Sequence, residues 1–319
     1  MVKYLTKRFL RSFLTLFIII TVVFVLLRQM PEEGYFPSNY DKLSESQKQS
    51  KLKQLGLDRP IYEQLFNFYK NLFKGDLGTS WLYRREVPVT DVLAEKAPVS
   101  LTLGSVSLLI SLLLGLPLGT LMAQKKNGIA DQLGTAYIVF IQAVPAAVYY
   151  LFIQLFGTTL LDVRMTYTQY LDVVPPLRFW ILPVFSMALD NIAGYAMWLR
   201  RYMVDQSTRD YVQLAKIKGV SSSGIMFKHI FRNAFVPMVQ YLPESFLNTV
   251  IGSIYIETLY SIPGMGGLLV QVVKGHDNPL AQAIVMLFAS VGVLGLILGD
   301  ILMVILDPRI TFAKKEGSR

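Results

Sequence analysis

The sequence predicts an all-α membrane protein with six transmembrane helices. The first observation behind this is composition. Hydrophobic residues make up 53% of the chain and charged residues only 17%, with a mean hydropathy of +0.43, whereas a soluble domain is about one-quarter charged. The second is patterning. A helix crossing the hydrocarbon core needs about 20 mostly apolar residues, and six stretches qualify. They are Phe9–Leu27, Leu101–Met122, Leu133–Phe156, Phe179–Leu199, Phe235–Ile256 and Leu280–Leu306. The third is where the cations sit: the formal net charge of +9 lies largely in segments flanking these runs. It does not form a basic stripe interleaved with aromatics, which argues against nucleic-acid binding.

The first run follows a basic start (Lys3, Lys7, Arg8, Arg11), as a secretory signal would. The run is long, and Arg28-Gln29-Met30-Pro31 offers no small-residue cleavage site, so a retained anchor is expected. With residues 1–30 taken as tail and first span, the N-terminus is read as cytoplasmic. The same side then collects Lys125 and Lys126, the basic loop from Arg200 to Arg232, and Arg309, Lys314, Lys315 and Arg319. The short outer loops hold only Arg164, Arg178 and Lys274. The positive-inside rule therefore places both termini in the cytoplasm.

Residues 31–98 read as a small helical subdomain on the outer side. Ser44-Glu45-Ser46-Gln47 fits a capping box, Gly56 suits a left-handed helix end, and Pro60 suits the first turn of a second helix. Ile61, Leu65, Phe68 and Leu72 recur at helical spacing as one apolar face, and Gly75 stops the helix.

The loop 200–235 is basic and too long for a tight turn. Tyr211, Leu214 and Ala215 fall on one helical face, and Gly219 is placed to end that helix with positive φ. One of Ser221, Ser222 and Ser223 can cap a second helix that begins near Ile225 and runs towards Pro237. Residue physics alone is equally compatible with an ordinary surface loop and with a rigid knob for a partner's groove.

Within the spans, Asp190 and Asn191 lie mid-helix in the fourth. A central Asp costs roughly 2.5–3.5 kcal/mol, which the span's apolar residues, at about 0.3–0.6 kcal/mol each, nearly cancel. That span is therefore expected to lean on its neighbours and turn Asp190 to a polar interior, as pathway lining or as a paired group. Asp300 and Glu257 lie near the ends of their spans, within reach of an interface, and Asp300 is read as part of a structural pair. After Glu257 comes Pro263-Gly264-Met265-Gly266-Gly267, a turn that can serve as a re-entrant or gate-like element.

The chemistry available to the chain is limited. It has no cysteine and two histidines, His229 and His276, so a Cys/His metal cage is excluded. It carries no Gly-x-x-x-x-Gly-Lys-Ser/Thr phosphate loop, no His-Glu-x-x-His helix and no Gly-x-Ser-x-Gly elbow. The nearest approach to an intramembrane Gly-x-Gly-Asp acid is Leu298-Gly299-Asp300, but position 297 is Ile. A passive channel would leave the inner loop without a purpose.

The run Asp210-Tyr211-Val212-Gln213-Leu214-Ala215-Lys216-Ile217-Lys218-Gly219, followed by His229-Ile230-Phe231-Arg232-Asn233-Ala234 and Pro237, closely resembles the coupling loop of bacterial binding-protein-dependent importers. The version is that of the peptide, dipeptide and nickel permeases. The chain departs from the widest pattern by having Gln213-Leu214-Ala215 where Glu-Ala-Ala is usual. The resemblance extends to Leu55-Gly56-Leu57-Asp58-Arg59-Pro60, Lys74-Gly75-Asp76-Leu77-Gly78, Glu257-Thr258, Ile262-Pro263-Gly264-Met265-Gly266 and Asp307-Pro308-Arg309-Ile310.

It implies a type I ABC importer permease fold, with a permease core over 99–310 and a tail over 311–319. It also implies a bacterial cytoplasmic-membrane location. The implied partners are a second similar permease, two ATP-binding subunits that hold the ATP and Mg, and an external substrate-binding (lipo)protein. The cargo would be an oligopeptide, with dipeptide or nickel chelate as alternatives. This chain would carry no cofactor and no catalytic residue. In this reading Asp210, Tyr211, Gln213, Leu214, Ala215, Lys216, Lys218, Gly219, Ser221, His229, Arg232 and Asn233 make the ATPase-coupling element. Asp190, Asn191, Glu257, Pro263, Gly264 and Gly266 are pathway or gate candidates.

Overall fold

The computed structural model describes residues 2–29, 36, 41, 43–170, 173–239 and 241–306. The helices run α1 (Val2–Arg28), α2 (Glu45–Leu55), α3 (Ile61–Leu72), α4 (Val89–Gln124), α5 (Ile129–Ala143), α6 (Ala146–Leu161), α7 (Leu177–Ser207), α8 (Asp210–Ile217), α9 (Ser222–Gly224), α10 (Arg232–Val239), α11 (Tyr241–Tyr260), α12 (Met265–Lys274) and α13 (Asn278–Leu306). Among the described residues the only β feature is a bridge between Thr79 and Pro88. The Asp307-Pro308-Arg309-Ile310 motif, the tail 311–319, and Pro31, Glu32 and Glu33 lie outside the described residues.

Four stretches are long and apolar enough to cross a bilayer alone: Thr6–Arg28, Val89–Gln124, Leu177–Ser207 and Asn278–Leu302. Two bent helix pairs pass the same test together, Ile129–Ala143 with Ala146–Leu161 and Ser253–Tyr260 with Met265–Lys274, so the described residues offer up to six spans if each pair is one span. The third expected span is not one straight helix. It bends by 104° between α5 and α6, because Pro145 has no N–H to continue the ladder and Val144 before it takes an extended conformation (φ −90°, ψ 128°). The fifth expected span, Phe235–Ile256, falls on α10 and α11, whereas the apolar pair found there lies further along, over Ser253–Tyr260 and Met265–Lys274.

The chain forms two compact units. One contains Leu101–Ile262 with α13 from Leu294 onward, and the other contains Lys7–Ser100 with Pro263–Val293.

In the first unit α7 is the central helix, packing against α5, α6, α10 and α11. Its approach to α4 is set by small residues at every fourth position. Ser107 donates to the Val184 carbonyl of α7 at 3.3 Å, and Ser111, whose hydroxyl donates to the Ser107 carbonyl at 2.7 Å, comes within 3.3 Å of the Ala188 carbonyl. Further along, a Cβ added to Gly115 would lie 3.0 Å from the Ile192 carbonyl oxygen, and one added to Gly119 would lie 2.7 Å from that of Ala196. The two backbones touch, as small residues permit in membrane helix pairs.

In the second unit the capping box of α2 forms as expected. Ser44 N donates to Gln47 Oε1 at 2.9 Å, and Gly56 closes the helix with φ 67°. Pro60 sits just before α3 as its cap rather than inside its first turn. The expected face of α3 packs through Leu65, Phe68 and Leu72, which are half-buried, with Tyr69 added to it. Tyr69 stacks on Phe17 at 5.0 Å and shares a 2.8 Å hydrogen bond with Thr21, while Phe68 meets Phe24 at 5.2 Å. Ile61 is exposed, and no α3 residue is fully buried. The aromatic rings reach α1 from neighbouring positions, Phe68 from within the expected face and Tyr69 from beside it.

A second core joins Val89, Val92 and Leu93 of α4 to Met265, Leu268 and Val272 of α12 and Leu280 and Ile284 of α13. Beside it Asp277, 1% exposed, gathers the turn before α4. Its Oδ2 accepts from Ser80 Oγ at 2.7 Å and from the backbone N–H groups of Trp81, Leu82 and Tyr83 at 3.1–3.2 Å.

Two outcomes follow for purified protein in detergent. Asp277→Ala strands buried donors that cost about 1–3 kcal/mol each when unmet, so its thermal midpoint should fall well below that of wild type, with Asp277→Asn in between. Gly119→Leu forces the α4–α7 backbones apart at about 1–3 kcal/mol or more, and Gly119→Ala should cost less. A wild-type midpoint for either severe variant would show that the contact does not matter.

Candidate functional site

The loop after α7 folds as a small solid body. Asp210 opens α8, where an acid complements the helix dipole. The expected face of Tyr211, Leu214 and Ala215 is corrected: Val212 and Ala215 are buried, Tyr211 is half-buried and Leu214 points outward. Eight residues give too few turns for the three- and four-residue spacing alone to decide which apolar stripe faces in. The buried pair joins Leu199 and Met203 of α7, Ile225, Ile230, and Ala234 and Met238 of α10 in one cluster. Tyr211 fixes the base of the loop by donating to Gln206 Oε1 at 2.7 Å.

Gly219 ends α8 as expected, with φ 74°. Its N–H donates to Lys216 O at 3.0 Å, and the Val220 N–H donates to Ala215 O at 3.1 Å. This paired closure satisfies the orphan carbonyls and turns the chain sharply. Ser221 then caps the next helix, its Oγ accepting from Gly224 N at 3.3 Å. That helix starts at Ser222, not near Ile225, and its stretch Ile225–Phe231 is a wider π-helix. The π form keeps Ile225 and Ile230, five residues apart, both buried. His229 is half-buried, while Arg232 and Asn233 are exposed at the start of α10.

The outward surface of α8 is therefore Gln213, Leu214, Lys216, Ile217 and Lys218. Its two apolar members, Leu214 and Ile217, are 52% and 83% exposed. An exposed Leu–Ile pair ringed by lysines, carried on a buried base, can receive an apolar groove with an acidic rim.

An ion pair that sequence reading missed supports the root of this loop. Arg200, counted in the sequence as a loop cation, is bound through Nε and Nη2 to both oxygens of Asp131, with Nη2 2.6 Å from Oδ2. Asp131 is 3% exposed and also accepts the Asn127 N–H at 2.8 Å, which caps the start of α5. The bidentate geometry fastens α5 to α7. Span boundaries and charge counts give no hint that an Asp and an Arg far apart in sequence will meet.

The pathway candidates divide. Asp190 lies exposed on α7 and makes no hydrogen bond or ion pair among the described residues. It sits within electrostatic range of Tyr137, Tyr149 and Tyr150. Its neighbour Asn191 donates to Thr249 Oγ1 at 2.9 Å.

Glu257 is wholly buried and accepts from Ser253 Oγ at 2.8 Å. Asp300 is likewise buried, at 3% exposed. Both acids are enclosed by protein. Among the turn residues, Pro263 and Gly264 belong to the break between α11 and α12, whereas Gly266 already lies in the first turn of α12. Gly264 and Gly266 are buried, and the Met265 N–H is held by Ser100 Oγ at 2.8 Å.

The described residues thus hold up to six stretches able to cross a membrane, and the long α7 leads into a compact helical knob. Residues 115–312 match the family described as binding-protein-dependent transport system inner membrane component, and residues 1–104 match the corresponding N-terminal family. The chain belongs to the binding-protein-dependent transport system inner membrane component family.

It is 31% identical over 316 residues to the dipeptide transport system permease protein DppB of Lactococcus lactis subsp. cremoris, covering 97% of this chain and 99% of that protein. It is also 31% identical to the oligopeptide transport system permease protein OppB of Haemophilus influenzae, covering 98% and 100%. A further relative, the glutathione transport system permease protein GsiC of Escherichia coli O6:H1, is 31% identical over 98% of this chain and 100% of its own length. Among solved structures, the crystal structure of an amino acid ABC transporter with histidines shares the fold. The TM-score is 0.50 at 16% identity, over 69% of this chain and 95% of that one.

Removing one partner of a buried pair costs about 3–5 kcal/mol, whereas replacing both by apolar groups is often near neutral. Arg200→Leu should therefore lower the thermal midpoint sharply, and Asp131→Leu with Arg200→Leu should recover most of the loss. A double variant no better than the single one would show that the pair acts through something other than charge compensation.

Proposed function

We propose that this chain is one of two permease subunits in an ATP-driven, binding-protein-dependent importer of peptides. The observation that carries the coupling role is the α8 knob. Its exposed Leu214 and Ile217, flanked by Lys216 and Lys218, stand on a base fixed by Val212, Ala215 and the Gly219 closure. A rigid knob transmits displacement, whereas a loose loop would absorb it. An ATP-binding subunit receives α8, and closure of two such subunits around ATP and Mg moves α7 through its rooted loop and opens the pathway outward. ATP hydrolysis belongs to those partners, and this chain performs no covalent chemistry.

The cargo follows from its relatives, whose names specify dipeptide, oligopeptide and glutathione transport. An external substrate-binding protein delivers the peptide, with oligopeptides the favoured class. Both termini and the loop 200–235 face the cytoplasm of a bacterial cell and residues 31–98 face outward, in keeping with the distribution of cations in the sequence. Asp190 and Asn191 line the pathway in this reading, and the break at Pro263 and Gly264 acts at its gate.

The coupling role is tested on the assembled importer. No atom lies within 4 Å of a Cβ built at Gly219, so Gly219→Val introduces no clash there, only a β-branched residue at φ 74°. Strain of about 1–3 kcal/mol should reduce peptide-stimulated ATP hydrolysis about tenfold or more, while Gly219→Asn, which tolerates positive φ, should stay near wild type. Wild-type stimulation in Gly219→Val would remove the coupling role. Uptake of labelled peptides of graded length and of nickel, in cells with and without the chain, tests the cargo. Loss of nickel uptake with peptide uptake intact would overturn the peptide assignment.

A further inference from the structure

The second unit contains a cavity of about 600 Å³ that the transport reading does not use. Two motifs singled out in the sequence meet there. Gly56, Leu57 and Arg59 come from the first, and Lys74, Asp76, Leu77 and Gly78 from the second. Positive φ at Gly56, Gly75 and Gly78 turns both segments to its rim.

Its charge is one-sided. Arg28, Lys53, Arg59, Lys70 and Lys74 line it, against Asp76 alone, whose Oδ1 already accepts the Gly78 N–H at 2.8 Å. Lys53, Arg59, Lys70 and Lys74 form no ion pair among the described residues. The cavity is also lined by Gln282, 7% exposed, whose Nε2 has no hydrogen-bond acceptor among the described residues. A buried amide donor without an acceptor is costly unless a ligand supplies one.

The remaining lining is apolar, with Leu57, Phe68, Leu77, Ala283 and Met286, plus the amphipathic Trp81. Position completes the argument. Arg28 is the last residue of the first span, and Gln282 and Met286 lie in the opening turns of the last span. A cavity at the ends of two membrane helices lies where lipid headgroups lie. Its cations suit a phosphate, and its apolar wall suits the glycerol and upper acyl carbons of the same molecule.

We propose that this cavity is a binding site for the phosphate headgroup of an anionic phospholipid, with the cationic rim supplying charge and the Gln282 amide a fixed hydrogen-bond donor. The inference rests on neither the cargo nor the coupling role.

The test uses the importer assembled with its partner subunits, exchanged into detergent with phosphatidylglycerol or with phosphatidylcholine of the same chains. Native mass spectrometry reads the retained lipid. Wild type should hold phosphatidylglycerol in preference to phosphatidylcholine. Each juxtamembrane cation contributes roughly a fivefold effect, so Lys53→Gln with Arg59→Gln should weaken retention about thirtyfold. Gln282→Leu, which preserves bulk, should weaken it about tenfold. Elution as an intact complex, with basal ATP hydrolysis retained, shows that the variants are folded.

Millimolar inorganic phosphate should not displace the lipid. Displacement at that concentration would make this a free-anion site and overturn the lipid assignment. Equal retention in wild type and both variants would overturn the site. Unchanged lipid with lost stimulation by the binding protein would assign the cations to an acidic partner surface instead.

Discussion

The contact between α4 and α7 is the constraint on which the first unit depends. Without a hydrophobic driving force between helices inside a bilayer, close backbone approach and cross-helix hydrogen bonds must hold them together. Ser107, Ser111, Gly115 and Gly119 supply both, meeting Val184, Ala188, Ile192 and Ala196 at a constant interval. Two helices that run in register over four such steps behave as one rod. With α7 fixed, the helices around it have a common reference, and α5 is fastened to the same rod by Asp131 and Arg200.

That arrangement explains how a short loop can be stiff. An isolated eight-residue helix is marginal in water, so α8 depends on its docking. Burying Val212 contributes about 1.5–3 kcal/mol, and the Gly219 closure and Ser221 cap remove the freedom left at the far end. The π-helical turn then lets Ile225 and Ile230 both reach the cluster on which α8 rests. The outward side is left unsatisfied, with Ile217 almost fully exposed. Stability and recognition thus use opposite faces of the same eight residues.

Local features were legible in the sequence because their causes are local. The capping box at Ser44, the left-handed ends at Gly56 and Gly219, the serine cap and the number of apolar crossings each need only a few neighbouring residues. The bend at Pro145 was equally local, yet a continuous apolar run hid it, since hydropathy does not register a missing N–H. The periodicity of α3 put Leu65, Phe68 and Leu72 on its packed face, but the part of Tyr69 could not be read, because it owes its contacts to Phe17 and Thr21 far away in the chain. Asp277 and the Asp131–Arg200 pair failed for the same reason: a lone acid shows its charge but not its partner. The Gly115-x-x-x-Gly119 spacing did carry a readable signal for close helix packing, though not for which helix would be met.

The acids of the membrane part separate by environment, and the separation bears on function. Asp131 is neutralised by an arginine, Asp277 is surrounded by backbone donors, and Glu257 and Asp300 are enclosed. Each of these sites is a fixed structure, because moving such a carboxylate would strand its partners. Asp190 is different in kind. It stands open on the central helix beside tyrosines and is held by no hydrogen bond among the described residues. A carboxylate at bilayer depth cannot face lipid without large cost, so an open one requires water or a polar partner on that side. The helix that bears it is also the helix that bears the α8 knob. The proposed drive from the ATP-binding subunit and the exposed Asp190 therefore share one helix, which is what the proposed role needs if movement at its base is to change what the pathway presents.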